Sequence, residues 1–213
     1  MSSTILAPAP DCPRCDRLVA FRQANRAQFP GWHNAPVPAF GGGESRLLIV
    51  GLAPGLRGAN RTGRPFTGDW AGDLLYATLL KFGFARGTYE ERPDDGLTLV
   101  DCRVTNAVRC VPPENKPVGA EIGFCRPFLE SEIAGLKKLK VLVALGNISH
   151  AAILRSLRLR VAAYPFKHGA QYELPTGIVL ADSYHCSRYN TNTGRLTAPM
   201  FEAVFAAVRD RLG

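Results

Sequence analysis

Four short apolar runs constrain this chain more than any other feature: Leu47 to Leu52 (LLIVGL), Leu97 to Val104 (LTLVDCRV), Lys140 to Leu145 (KVLVAL) and Gly177 to Ala181 (GIVLA). A strand with one wet face alternates apolar and polar residues, whereas nearly continuous Val, Leu and Ile suit strands covered on both faces. Helical patterns lie between the runs. After Asp69, WAGDLLYATLLKFGF gathers Leu74, Leu75, Thr78, Leu79 and Phe82 on one side, with Asp69 placed as an N-cap. VGAEIGFCRPFLESEIAGLKKL reads as a helix interrupted or restarted at Pro127. Thr197 and Pro199 open a C-terminal helix striped by Met200, Phe201, Val204, Phe205, Val208 and Leu212. Strands alternating with helices predict a three-layer α/β/α domain around a central, mainly parallel four-stranded sheet. A chain of 213 residues is expected to form one such domain over 1–213, with Phe29 to Gly43 as an exposed irregular connection.

Ligands of such sheets bind beyond the carboxyl ends of the strands. The segments to weigh are therefore Gly51 to Asp69, Thr105 to Arg109, Gly146 to His150 and Asp182 to Asn190. The first, GLAPGLRGANRTGRPFTGD, is rich in glycine and arginine and reaches its first carboxylate at Asp69. Its glycines let backbone N–H groups approach a ligand. The phosphate-cradling spacings G-x-x-x-x-G-K-[ST] and G-x-G-x-x-G are both absent, which disfavours nucleotide hydrolysis. Asn106 at a strand end is either a turn residue or a paired donor and acceptor suited to the edge of a nucleobase. His185 stands in a loop after the last strand.

The formal net charge of +8 raises the expectation of a polyanionic partner, and the basic residues are spread through loops, among them Arg57, Arg61, Arg64, Arg188 and Arg195. No run of roughly 18 apolar residues is present, and MSSTILAPAP lacks a basic, apolar leader pattern. A cytoplasmic, membrane-free protein is expected. In that compartment six cysteines point to metal or redox chemistry before disulfides. Cys12 and Cys15 form C-P-R-C, and Cys110 and Cys125 flank a proline-rich loop; four thiolates can hold tetrahedral zinc or an iron–sulfur cluster. Cys102 fits a core position, and Cys186 has no evident activating neighbour.

Taken together, C-P-R-C at 12–15, GLAPG at 51–55, NRTGRPFTGD at 60–69, TNAVRCVPPENKP at 105–117, Cys125 and SYHCSRYNTNTGRLT at 183–197 resemble the uracil-DNA glycosylase superfamily, specifically its iron–sulfur family 5 branch. The resemblance covers nearly the whole chain. It implies a monofunctional base-excision-repair glycosylase that hydrolyses the N-glycosidic bond of uracil, and of other damaged or deaminated bases, flipped out of DNA. Cys12, Cys15, Cys110 and Cys125 would ligate a structural [4Fe–4S] cluster. Phe66 would stack on the flipped base, Asn106 would read its edge, and His185 would donate toward the base O2. Backbone donors at Gly51, Ala53 and Gly55 would join them. Arg61, Arg64, Ser187, Arg188, Tyr189 and Asn190 would meet the DNA, and the enzyme would act as a monomer.

Three departures from the family pattern matter. Leu52 and Ala53 replace the polar residue that positions water in related branches, so Asp69 is the candidate carboxylate, with a plain N-cap as its other reading. Gly58 stands where the sister iron–sulfur branch has a glutamate that excludes thymine, which predicts a broader base range. H-C-S replaces the usual H-P-S at Cys186. The competing readings are a catalytically weak lesion-binding protein and a zinc-bound regulatory DNA-binding module.

Overall fold

A computed structural model of the chain describes residues 5–213. In chain order the elements are α1 (Asp16–Gln28), β1 (Phe40–Gly41), β2 (Leu47–Gly51), α2 (Ala59–Thr62), α3 (Trp70–Lys81), β3 (Ala85–Arg86), β4 (Thr98–Leu99), β5 (Cys102–Asn106), α4 (Gly119–Gly135), β6 (Val141–Leu145), α5 (Asn147–Ser156), β7 (Gln171–Glu173), β8 (Val179–Ser183), α6 (Arg188–Asn192) and α7 (Ala198–Leu212). The main sheet runs β1-β5-β2-β6-β8-β7. Its four inner strands are mutually parallel, and two short antiparallel strands close the edges, making six strands where four were expected. The edge strands are only two and three residues long, too short to leave a pattern in the sequence.

Every residue of β2, β6 and β8 is buried, as continuous apolar runs require. Alternate side chains serve opposite layers. Leu47 and Ile49 pack with Leu75, Tyr76 and Leu79 of α3 and with Phe201, Phe205 and Val208 of α7. Leu48 and Val50 pack with Leu129 and Ile133 of α4 and with Ala152 and Ile153 of α5. Asp69 caps α3 by accepting from Gly72 N, and Thr197 caps α7 by accepting from Met200 N.

Three local expectations are corrected. The run Leu97 to Val104 is two strands: Thr98–Leu99 pairs with β3 in a separate ribbon, and Cys102–Asn106 joins the main sheet. Asp101 divides them in a left-handed conformation (φ 51°), with its carboxylate accepting from Arg46 N at 2.8 Å. Helix α4 runs through Pro127 without a break. An internal proline costs about 3 kcal/mol, and the burial of Phe128, Leu129 and Ile133, about 1.5–3 kcal/mol each, offsets it. The segment Phe29 to Gly43 is not simply exposed: Asn34 and Val37 are buried, and Phe40 and Gly41 form the edge strand.

Candidate functional site

The register of the sheet assembles the site. Gly51, last in β2, pairs with Asn106, last in β5, so the loops after these strands leave side by side. β8 ends at Ser183, two residues before His185. These loops enclose a cleft of about 630 Å³ whose walls include Ala53, Phe66, Asp69, Asn106, His185 and Arg188. Gly55 and Ser187 also line it. Gly51 lies beneath: a side chain there would collide with both Phe66 and Asn106, so only glycine permits their approach. Phe66 is held at φ 51°, an unusual conformation for a bulky residue, and its ring lies 6.0 Å from the His185 imidazole. The Asn106 Oδ1 is buried without a hydrogen-bond partner, a costly state that a donor on a ligand would relieve. Ala53 and Gly55 line the cleft wall on either side of Pro54, which has no N–H.

Asp69 lines the cleft while capping α3, so its role as a cap leaves the carboxylate beside the cleft. Burial raises its carboxyl above the ordinary value of 3.8, against the lowering effect of the Gly72 and Ala71 N–H groups. Its outer oxygen packs against Gly58, where any side chain would collide with it. This corrects the expectation that Gly58 leaves open room: the space is filled by the Asp69 carboxylate. Burial lowers His185 to about 4, so the ring is neutral near pH 7 and can donate from only one nitrogen.

Cys186 is fully buried, with its thiol directed at Ala71 O (3.4 Å) on α3, and burial pushes its pKa upward. It thus binds the His185 loop to the helix that Asp69 caps. Ser187 caps α6 by accepting from Asn190 N. Arg188 and Tyr189 are exposed beside the cleft, Tyr189 at 72% and Arg188 with its guanidinium over the Trp70 ring.

Of the residues expected to meet DNA, Arg64 is turned away into the fold and Asn190 is engaged in part within it. Arg64 is 5% exposed, its guanidinium paired with both oxygens of Asp95 and set beside the rings of Phe40, Tyr76 and Tyr89. Arginine in a glycine-rich loop suggests a phosphate contact, but the partner Asp95 stands too far along the sequence to be read with it. Asn190 turns inward, donating from Nδ2 to His185 O at 2.8 Å. Arg61 is exposed but stands outside the cleft, on a shallow groove with Trp32 and His33. Sequence reading missed Trp70 and Asn115 as cleft residues. Asn115 accepts from Leu56 N at 3.2 Å and holds the glycine-rich loop, and its only signal was its place in the proline-rich segment.

Away from the cleft, Cys12, Cys15, Cys110 and Cys125 line one cavity walled by Leu18, Val108 and Phe128. Among the described residues, no group of three or more His, Cys, Asp or Glu is arranged to hold a single metal ion. The Arg109 N–H donates to Cys125 Sγ at 3.3 Å.

Comparison with known proteins gives a consistent result. Residues 38–209 match the Uracil DNA glycosylase superfamily. The chain is 46% identical to a type-5 uracil-DNA glycosylase of Thermus thermophilus, covering 95% of this chain and 94% of that one. It is 40% identical to a type-5 uracil-DNA glycosylase of Mycobacterium leprae (95% and 92%) and 38% identical to one of Pyrobaculum aerophilum (88% and 83%).

Proposed function

The chain belongs to the uracil-DNA glycosylase superfamily and is a glycosylase that excises uracil from DNA, and we propose that Asp69, Asn106, Phe66 and His185 carry that reaction. The observation that carries this assignment is the convergence of all four on one cleft at the carboxyl end of the parallel strands. A base turned out of the duplex stacks on Phe66 and meets the unpaired Asn106 amide, which offsets the cost of unstacking. As the N-glycosidic bond breaks, negative charge grows on the base and positive charge on the sugar. Neutral His185 and the loop amides at Ala53 and Gly55 donate to the base, a preorganised arrangement that loses nothing to solvent reorganisation. Asp69, as carboxylate, orients water and stabilises the sugar cation.

Among the described residues no lysine lines the cleft to form a covalent imine, which favours simple hydrolysis over a lyase step. The breadth of the cleft favours acceptance of bases larger than uracil, such as ethenocytosine or hydroxymethyluracil. We read 1–213 as one catalytic domain that works as a cytoplasmic monomer with its cysteines free of disulfides.

We also assign Cys12, Cys15, Cys110 and Cys125 to a [4Fe–4S] cluster. Four soft thiols from three chain segments around one space, with a backbone N–H aimed at a sulfur, fit that group. Its role is structural: it would fasten the N-terminal segment to the loop after β5 and to α4.

The test is a uracil-containing duplex, scored for alkali-labile abasic sites. Wild type should produce them, and Asp69→Asn should lower the rate by about 10²–10⁴-fold. Asn caps a helix as well as Asp, and burying a charge raised the Asp69 pKa, so Asp69→Asn should melt no lower than wild type while Asp69→Ala should melt lower. Because the ionised form is required, the wild-type rate should fall with pH through a value above 3.8. Unchanged excision by Asp69→Asn would remove the carboxylate from the mechanism.

A further inference from the structure

Helix α1 turns Leu18, Arg22 and Asn25 inward, so a guanidinium stands where an amphipathic helix would normally bury an apolar side chain. Arg22 is 3% exposed and makes no ion pair among the described residues. Its Nη1 lies 3.6 Å from Cys110 Sγ, its Nη2 donates to Cys12 O at 3.1 Å, and its Nε has no partner. The acidic residues nearby are already engaged: Asp11 with Arg26, Glu121 with Arg17, and Glu132 with both Arg103 and Arg109. A buried cation with no counter-charge is among the most expensive arrangements a fold can hold. Asp11, whose carboxylate feels the Arg22 charge, is bridged to Arg26, and among the described residues the side-chain contact left to the Arg22 guanidinium is Cys110 in the cysteine cage.

We propose that Arg22 is the counter-charge of the cluster, a positioning residue that donates to the Cys110 thiolate and offsets the net negative charge of four thiolates on a [4Fe–4S] centre. The proposal rests on the cluster assignment above. Two consequences separate it from a packing role. A fixed cation favours the more negative, reduced cluster, so its removal lowers the reduction potential. Without it, the thiolates lose a donor and release iron more readily.

The experiment compares full-length wild type, Arg22→Gln and Arg22→Lys, purified without oxygen. Iron and acid-labile sulfide are measured, then the midpoint potential is followed by visible absorption, and iron release is timed under a chelator. Arg22→Gln should keep its iron but shift the oxidised-to-reduced ratio at fixed potential about tenfold toward oxidised, about 59 mV for one electron, and should release iron several-fold faster. Arg22→Lys should stay near wild type in both. If Arg22→Gln holds wild-type iron at an unchanged potential, the proposal is wrong. Should Arg22→Gln fail to retain iron, Arg22→Lys decides: retention supports the charge argument, and loss overturns it in favour of shape. A wild-type protein with neither iron nor sulfide would instead refute the cluster assignment, and the role of Arg22 with it.

Discussion

Gly58 shows how one missing side chain can matter more than a present one. The Asp69 carboxylate occupies the space that a methyl group at position 58 would need. Gly58→Ala should therefore displace the carboxylate and slow single-turnover excision of uracil by about 100-fold, the usual cost of a misplacement near 1 Å, while affinity for a uracil-containing duplex is retained. A wild-type rate would show that Asp69 tolerates displacement. The residues that could be read in the sequence were those at a strand end or in the loop that follows one: Phe66, Asp69, Asn106 and His185 all line the cleft. Those misread depended on a distant partner. Arg64 looked like a phosphate contact because Asp95, which neutralises it, lies 31 positions away, and Gly58 looked vacant because nothing local predicts the fold of Asp69 back upon it.

Among the elements, α3 and the loop before it form the most consequential unit, since the loop carries Phe66 and Asp69 and is clamped by Arg64 and Asp95. The guanidinium beside Asp95 holds its carboxyl well below the ordinary range, with the Glu90 and Leu97 N–H groups adding to the effect. A depressed carboxyl contributes stability that is present above its unfolded pKa of 3.8 and is lost as pH falls below it. Acid titration of Asp95→Asn, followed by circular dichroism, should accordingly show a weaker dependence on pH below 3.8 than wild type, from a lower starting stability. An unaltered acid transition would mean the clamp contributes nothing. The four parallel strands, the caps of α3 and α7 and the α7 stripe were legible because each follows from nearest-neighbour chemistry. The edge strands, the division at Asp101 and the continuity of α4 were not, because pairing across the sheet and packing against it settled them.

At the scale of the whole molecule, a net charge of +8 suits a protein that acts on DNA, but the charge is unequally placed. Arg64 and Arg109 are buried in ion pairs, whereas Arg57 and Arg188 line the cleft and are exposed. Among the described residues no helix is long and apolar enough to cross a membrane. Arg188→Ala should flatten the plot of log affinity against log salt by about 0.9, measured by anisotropy on an undamaged duplex. An unchanged slope would place Arg188 away from the phosphates. The cysteines give the chain a different kind of order. Cys12 and Cys125 stand at opposite ends of more than half the sequence and line one space, so the cluster proposed above would close a long loop that no disulfide closes among the described residues. Closing such a loop removes freedom chiefly from the unfolded chain. Iron supply would then govern how firmly the amino-terminal arm is tethered, while the sheet and cleft, which draw their order from packing, keep their shape.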